Sequence, residues 1–247
     1  MSKRKILILA TALCMVAILA VGGTLAYFTD DDFATNVFTV GNIDIRLDET
    51  FSPEDAKLIM PGQDVEKIVH VENVGANPAF VRVHVALPKI LDSGDPDFAA
   101  YANTMHWNFS KASFAEGLWN WNKNEAGPNY PGNGGNWNAY ETTIDGVEYT
   151  VYVATYETAL AAKTGKTAEP AINNVYLDTD LTQEEWNDIK SIFGDAEEIK
   201  VLVAAEGVQT VTFEEAGAYV ALNTAFGTPG TTGYVNPWAR KAAEDAE

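Results

Sequence analysis

The chain has 247 residues, of which 35 are acidic and 16 are basic, and its formal net charge is −19. Because nucleic acid is a polyanion, this excess of carboxylates argues against a nucleic-acid partner. A single cysteine, Cys14, leaves no pair for a disulfide, so the fold must be stabilised by burial of apolar side chains.

The N-terminus has the pattern of an export signal. Basic residues at positions 3–5 precede an apolar run over 6–21, which is shorter than the roughly 20 residues that span a bilayer as a helix. A small residue at Ala26 suits a signal peptidase, so we predict cleavage after Ala26, with cleavage after Tyr27 as the adjacent alternative. Residues 1–26 are then a signal peptide and the processed protein is secreted.

The processed chain begins with a strand-forming segment. Residues 36–47 alternate in polarity and predict a β-strand. A freed strand at a chain end can add to an unpaired sheet edge of another subunit. We therefore predict a strand-donor segment, with the apolar members Tyr27, Phe28, Phe33, Val37, Phe38 and Val40. The alternative is a first strand within the chain's own sandwich, which is favoured more for 41–47 than for 27–38.

Period-two alternation recurs along the chain. It predicts strands over 65–71, 80–87, 142–144, 147–153 and 198–208. The turn-rich segment 72–78 predicts that the first two of these strands pair as a hairpin. Asp145-Gly146 is the favoured two-residue hairpin turn and predicts pairing of the third with the fourth.

Two helices are predicted from their start signals. Thr182 and Glu185 form a capping box, and Thr212 with Glu215 repeats the pattern, so we expect helices near 182–193 and 213–226. A long loop rich in Trp, Asn and Gly is expected over 117–140.

Many short strands with a few helices favour a mainly β fold. We predict an antiparallel two-sheet jelly-roll sandwich with peripheral helices, rather than an alternating α/β fold. It forms a single domain over 27–238, and the charged residues 239–247 are expected to be a flexible tail.

Several segments resemble the TasA/camelysin family. They are Gly22–Asp30, Ala34–Ile45, Pro61–Gln63, Val71–Gly75 and Ala79–Val83, so the resemblance covers roughly residues 1–90. It implies processing by a signal peptidase of the SipW type and a jelly-roll subunit at the surface of a Gram-positive-type bacterium. It further implies assembly with itself or with related matrix proteins into fibres of the biofilm matrix.

Camelysin is catalogued as a metallopeptidase, which makes such an activity the alternative. The sequence has no His-Glu-x-x-His motif, and its three histidines, His70, His84 and His106, are isolated from one another. His70 and His84 are weak metal candidates, because a hairpin would bring their strands together, but a solvated side chain is the simpler interpretation of each. We predict no catalytic residue and no enzymatic activity.

Clustered carboxylates suggest calcium as the one candidate cofactor. Asp92, Asp95 and Asp97 lie in one acidic run, and Asp30–Asp32 form another. Calcium prefers oxygen ligands, but neither run has the EF-hand spacing, so a solvated acidic turn is favoured.

Four tryptophans, each followed by asparagine, suggest a sugar-binding surface. They are Trp107, Trp119, Trp121 and Trp137. Aromatic faces beside amides can grip a cell-wall or matrix polysaccharide, whereas the alternative is a strand that buries its indoles.

Overall fold

A computed structural model of the chain describes residues 37–40, 43–52, 61–92, 104–108, 117–121, 138–192, 199–213 and 216–245. Within these residues, eleven strands form two sheets, and they are numbered β1 to β11 in chain order. The fold is therefore mainly β, as the sequence predicts.

The longest strands of sheet A, β4 (Ala79–Pro88) and β8 (Val147–Tyr156), have ten residues each and pair with one another. The sheet runs in the order β1 (Val37–Val40), β11 (Leu202–Gln209), β4 and β8, and both β6 (Trp119–Asn120) and β7 (Ala139–Ile144) pair with β8. Its pairs are antiparallel except for β1 with β11, which is parallel.

Sheet B packs against sheet A and is antiparallel throughout. It runs in the order β2 (Ile45–Phe51), β3 (Asp64–Asn73), β10 (Ile172–Leu177) and β5 (Met105–Trp107), and β9 (Gly165–Lys166) also pairs with β3. The inward-facing residues of both sheets form one continuous core, which includes Val81, Val83 and Val85 from β4 and Val69 and Val71 from β3. This arrangement confirms the two-sheet sandwich and the predicted inner face of β4.

The helices are α1 (Lys89–Asp92), α2 (Gln183–Ile192), α3 (Gly217–Phe226) and α4 (Pro237–Glu244). Helix α3 packs Ala221 and Leu222 against Phe80 of β4, and α4 packs Trp238 against Ala86 and Ala204. These contacts lie on the face of sheet A that points away from sheet B. All ten residues of β4 are consequently buried, on both faces of the strand.

Two local signals in the sequence have the predicted outcome. Asp145 and Gly146 adopt φ values of 50° and 84°, and they close the tight turn between β7 and β8. In the capping box, the amide of Glu185 donates to the Thr182 hydroxyl at 3.2 Å, and the amide of Thr182 donates to the Glu185 carboxylate at 2.8 Å. Both motifs are local, so they act independently of the rest of the fold.

The predicted hairpin between residues 65–71 and 80–87 is wrong. Strand β3 pairs with β2, β10 and β9 in sheet B, whereas β4 pairs with β11 and β8 in sheet A. The connection crosses from one sheet to the other, and the amides of Val74 and Gly75 both donate to the carbonyl of Asp44 at 2.9 Å. Turn residues predict a reversal of the chain, but they do not specify which sheet receives the next strand.

The predicted continuous strand over 36–47 is also wrong. It is two strands in two sheets, β1 in sheet A and β2 in sheet B. The residues between β1 and the described part of the next segment are Gly41 and Asn42, which are typical of turns. Because β1 and β2 belong to different sheets, no ladder of backbone hydrogen bonds joins them.

Two expectations about the C-terminal part need correction. The second helix begins at Gly217 rather than near 213, and its N-cap residue, Ala216, makes no side-chain capping bond. Residues 239–244 belong to α4 rather than to a flexible tail, because Asn236 caps this helix by accepting from the Ala239 amide. Trp238 anchors the helix at 7% exposure.

The predicted signal peptide and cleavage site, residues 1–26 and Tyr27, lie outside the described residues, as do Phe28 and Phe33. No helix in the described part of the chain is long and apolar enough to cross a membrane.

The Gly75 turn gives a prediction about stability. A Cβ atom at this position would lie 2.3 Å from the Asp44 amide nitrogen and 2.9 Å from the Ile43 carbonyl carbon, both of which are backbone atoms. We expect Gly75→Ala to lower the free energy of unfolding by about 1–3 kcal/mol, because the backbone must move apart. Urea unfolding of this variant beside Ala76→Ser, which changes an exposed neighbour, measures the effect. Equal stability of the two variants would contradict the close approach.

Candidate functional site on the outer face of sheet A

Strand β1, which contains part of the predicted donor segment, lies at one edge of sheet A. It pairs in parallel with β11, in the register Val37 with Ala205 and Val40 with Val208. Val37, Phe38 and Val40 therefore join a sheet of their own chain in this structure. The only bonds that such a ladder requires are backbone hydrogen bonds, which any copy of the same strand can supply.

The outer face of sheet A holds a buried cluster of charged side chains, which we call the charge cluster: Arg82, His84, Glu206 and Arg240. Arg82 and His84 come from β4, Glu206 from β11 and Arg240 from α4. The Glu206 carboxylate forms ion pairs with both arginines and accepts from His84 Nε2 at 3.1 Å. Arg82, His84 and Glu206 are at most 1% exposed. The Glu206 carboxylate of β11 thus bonds to side chains of both β4 and α4.

The two terminal nitrogens of the Arg82 guanidinium attach α3 to sheet A. Its Nη1 donates to Asn223 Oδ1 at 2.9 Å, and its Nη2 donates to the carbonyl of Gly227 at 3.1 Å, at the end of that helix. Burial lowers the pKa of Arg82 to about 10, so the guanidinium stays charged at neutral pH. The guanidinium of Arg82 therefore bonds to three residues on two elements, Glu206 of β11 and both Asn223 and Gly227 at the C-terminal end of α3.

His84 is neutral, and its hydrogen bonds define the tautomer. Burial lowers its pKa well below 6.5, and the charges of Arg82 and Arg240 lower it further. Because the Glu206 carboxylate can only accept, Nε2 of His84 carries the proton, and Nδ1 then accepts from the Tyr140 hydroxyl at 3.3 Å. The expectation of a solvated His84 is wrong, because the helices cover the face on which it lies.

Direct strand pairing places five residues in one row from edge to edge of sheet A. The row is Phe38, Glu206, Arg82, Thr155 and Asn120. The side chains of the last four share the outer face, since directly paired residues point the same way. The charge cluster therefore lies between β1 at one edge and Asn120 at the other.

A pocket lies at the Asn120 end of this row. Its volume is about 280 Å³, and it is lined by Asn120, Thr155, Glu157, Ala218 and Tyr219. It opens between the edge of the sheet at β6 and the first turn of α3. The lining combines an amide, two kinds of oxygen acceptor and an aromatic ring.

Comparison with known proteins identifies the N-terminal part of the chain. A family model described as camelysin metallo-endopeptidase matches residues 2–88. Over these residues the chain is similar to the TasA/camelysin family. The resemblance drawn from the sequence is thereby confirmed, and it supports a cell-surface protein of this family. No curated protein and no solved structure matches the chain.

The metal centre that the description metallo-endopeptidase implies does not fit the two candidate histidines. His70 lies on the outer face of sheet B, with Nδ1 2.9 Å from the carbonyl of Thr167, whereas His84 lies on the outer face of sheet A. Both sheets separate them, and packed sheets lie about 10 Å apart. Among the described residues there is no group of three or more side chains of the kinds that hold metals. The idea that His70 and His84 share a metal is therefore wrong.

Asp92, one of the candidate calcium ligands, is buried beside Tyr152. It is 7% exposed and accepts from the Tyr152 hydroxyl at 2.7 Å, and burial raises its pKa. Asp95, Asp97 and Asp30–Asp32 lie outside the described residues, so calcium binding at those positions stays a prediction.

The tryptophans do not form an exposed platform where they are described. Trp107, Trp119 and Trp121 are at most 6% exposed and belong to the core between the sheets. Trp119 Nε1 donates to the carbonyl of Glu169 at 2.9 Å, and the rings of Trp107 and Trp121 pack edge to face. Trp137 lies outside the described residues. The alternative of a strand that buries its indoles is the one observed for these three.

Sequence reasoning missed the charge cluster, although a signal for it exists. Arg82 and His84 alternate with valines in β4, and Glu206 follows Ala204 and Ala205 in β11. Charged residues on the outer side of two apolar strands can face either water or a covering layer. The covering layer comes from α3 and α4, which lie far away in the sequence.

Removal of the Glu206 charge is expected to destabilise the fold strongly. Glu206→Gln leaves Arg82 and Arg240 close together without a carboxylate, and breaking a buried ion pair costs about 3–5 kcal/mol. Glu72→Gln is the matched control, because Glu72 pairs with Arg46 and Lys166, whose side chains are 64% and 40% exposed, and each such surface pair contributes at most about 1 kcal/mol. Chemical denaturation measures both variants, and similar losses would contradict the role assigned to Glu206.

His84 gives the expected pH dependence. The unfolded chain binds a proton at this histidine near pH 6.5, while the folded protein does not. Because the unfolded state then binds more protons, the free energy of unfolding falls as pH drops below about 6.5, by up to about 1.4 kcal/mol per unit.

His84→Gln should remove this part of the slope, since the amide can still donate to Glu206 but does not titrate. Denaturation at about pH 7 and about pH 5.5 measures the slope. The Gly75→Ala variant serves as a destabilised control that keeps His84 and should keep the slope. A slope unchanged by His84→Gln would show that the buried histidine does not carry it.

Proposed function

We propose that this protein is a secreted structural subunit of the bacterial cell surface or extracellular matrix, which assembles into fibres by donation of its N-terminal strand. The observation that carries the proposal is the position of β1: a four-residue strand at a sheet edge, close behind the signal-like leader in the sequence. A family match that begins in the leader and runs through β4 adds to its support.

Exchange of β1 between copies needs no new interface. If β1 leaves β11, the exposed edge of β11 presents backbone donors and acceptors that are complementary to those of β1 from another copy. Each subunit then donates at one end and accepts at the edge of β11, which is a head-to-tail contact that propagates a filament. Strands β1 and β2 belong to different sheets, so in this proposal the exchange of β1 does not disturb the pairing of β2 with β3.

In this proposal, the signal peptide prevents premature assembly. While residues 1–26 are attached, the donor segment is held at the membrane and cannot reach a neighbour. Removal by a signal peptidase of the SipW type frees it. The net charge of −19 opposes association, so we expect assembly to strengthen as salt screens the repulsion.

The proposal includes no catalytic step. Metallopeptidase activity, the alternative, is supported by the family description alone, since His70 and His84 face opposite sides of the sandwich. No described feature favours it over the structural role.

A disulfide trap tests where β1 lies in the assembled state. Cleavage before Tyr27 removes Cys14, so a Tyr27–Glu247 protein has no cysteine of its own. Val40 and Val208 are paired residues on neighbouring strands about 4.8 Å apart, a separation that a disulfide can bridge. We expect Val40→Cys/Val208→Cys protein, oxidised after fibre formation, to give a ladder of covalent multimers on a non-reducing gel.

The single Val208→Cys variant is the control for random crosslinking and should give no ladder. A second control protein starts at Gly41, lacks β1 and should stay monomeric in electron microscopy and size exclusion. Fibres in which only disulfide-closed monomers form would rule out strand donation but keep the fibre role. Monomers from the Tyr27–Glu247 protein under all salt conditions would overturn the fibre role itself.

A further inference from the structure

The pocket at the Asn120 end of the row has a polar lining that the fold does not use fully. Thr155 is 6% exposed, and among the described residues its hydroxyl makes no hydrogen bond. Its oxygen is not among the enclosed side-chain atoms that lack a partner, so it reaches the space of the pocket and can bond to water or to an occupant. Because Thr155 lines the pocket, that group presents its donor and acceptor to an occupant.

The other lining groups restrict the chemistry of the occupant. Asn120 is 5% exposed and brings an amide on the same face as Thr155, since the two are directly paired. Glu157 lies two residues further along the chain on the same side and is exposed at the rim. Amide, hydroxyl and carboxylate groups together match a molecule with several hydroxyl groups.

The opposite wall is apolar and aromatic. Ala218 and Tyr219 belong to the first turn of α3 and close the pocket from above the sheet. A ring that carries hydroxyls at its rim and C–H groups on its face satisfies both walls at once, and an aromatic side chain packs well on such a face. The volume of about 280 Å³ is at the small end for ligand pockets and suits one such ring.

Charge excludes anionic occupants. The rim carries the Glu157 carboxylate, and the protein has a net charge of −19. The cation nearest in the row, Arg82, is occupied by Glu206, Asn223 and Gly227. A phosphate or uronate group would therefore be repelled, whereas a neutral or ammonium-bearing group would not.

We propose that this pocket binds one pyranose unit of an extracellular polysaccharide, either neutral or carrying an amino group. Thr155 and Asn120 bond to ring hydroxyls, Tyr219 packs on the sugar face, and Glu157 accepts from a hydroxyl or an ammonium group. The site is separate from the β11 edge, so binding does not depend on fibre formation.

The test uses Tyr27–Glu247 protein and four probes: tetramers of glucosamine and of N-acetylglucosamine, a glucuronate-containing tetramer, and free glucosamine. Titration is followed by isothermal calorimetry. We expect both hexosamine tetramers to bind and the glucuronate tetramer to bind at least about tenfold more weakly, because its carboxylates face Glu157.

Two variants examine the assigned contacts. Thr155→Val keeps the shape of the side chain and should weaken both hexosamine tetramers about fivefold. Glu157→Gln should weaken the glucosamine tetramer about tenfold, since a charge-assisted bond is lost, and affect the N-acetylated tetramer less. Thr143→Val and Glu184→Gln, at exposed positions elsewhere, are matched controls that should bind as the unmodified protein does.

Several results would overturn the proposal. They are failure of both hexosamine tetramers to bind, preference for the glucuronate tetramer, or equal affinity in Thr155→Val, Glu157→Gln and the controls. Free glucosamine that binds as tightly as its tetramer would assign the site to a single sugar rather than to a polymer. Near-ultraviolet circular dichroism of each variant confirms that it is folded before its affinity is compared.

Discussion

The Glu206 carboxylate is the interaction on which the outer half of this sandwich depends. Among the described residues no second sheet lies on that side of sheet A, yet every residue of β4 is buried, because α3 and α4 cover it. Those helices are attached through Arg82 and Arg240, and both guanidinium groups require an anion once water is excluded. Glu206 supplies it from β11, at the position where the two helices meet the sheet. Apolar contacts alone would hold the helices less specifically.

One strand thereby connects the two ends of the chain. The side chain of Glu206 binds α4 at the C-terminal end, while the backbone of the same residue lies beside Phe38 of β1 near the N-terminal end. The contact with α4 is a buried ion pair, whereas the contact with β1 is a ladder of backbone hydrogen bonds at the edge of the sheet. In the proposed exchange, departure of β1 removes its ladder with β11, whereas the bonds of Glu206 to β4 and α4 do not involve β1. A fixed acceptor edge is what strand exchange between copies requires.

Much of the sandwich could be predicted from the sequence because its signals are local. Alternation identified the inner faces of β3 and β4, and the Asp145-Gly146 turn and the Thr182 capping box formed as expected. Sheet membership could not be predicted, because the turn residues after β3 suit a hairpin and a crossover equally. The burial of His84 could not be predicted either, since it depends on helices more than 130 residues later in the chain. Charged residues that alternate along a strand indicate which of its faces points away from the apolar core. Whether water or protein covers that face depends on elements elsewhere in the fold.

The extent of the family match separates the two proposed roles. The match ends at Pro88, the last residue of β4, so it includes β1 and Arg82 but none of the partners of Arg82. Strand β11 lies between β1 and β4 in sheet A, and it comes from the unmatched part of the chain. The matched region therefore cannot build sheet A alone, and each chain completes it with its own later strands. Asn120, Thr155 and α3 come from that later part as well. The strand that we propose to be donated thus lies in the matched region, whereas the pocket and the covering helices of the outer face come from the later part of the chain.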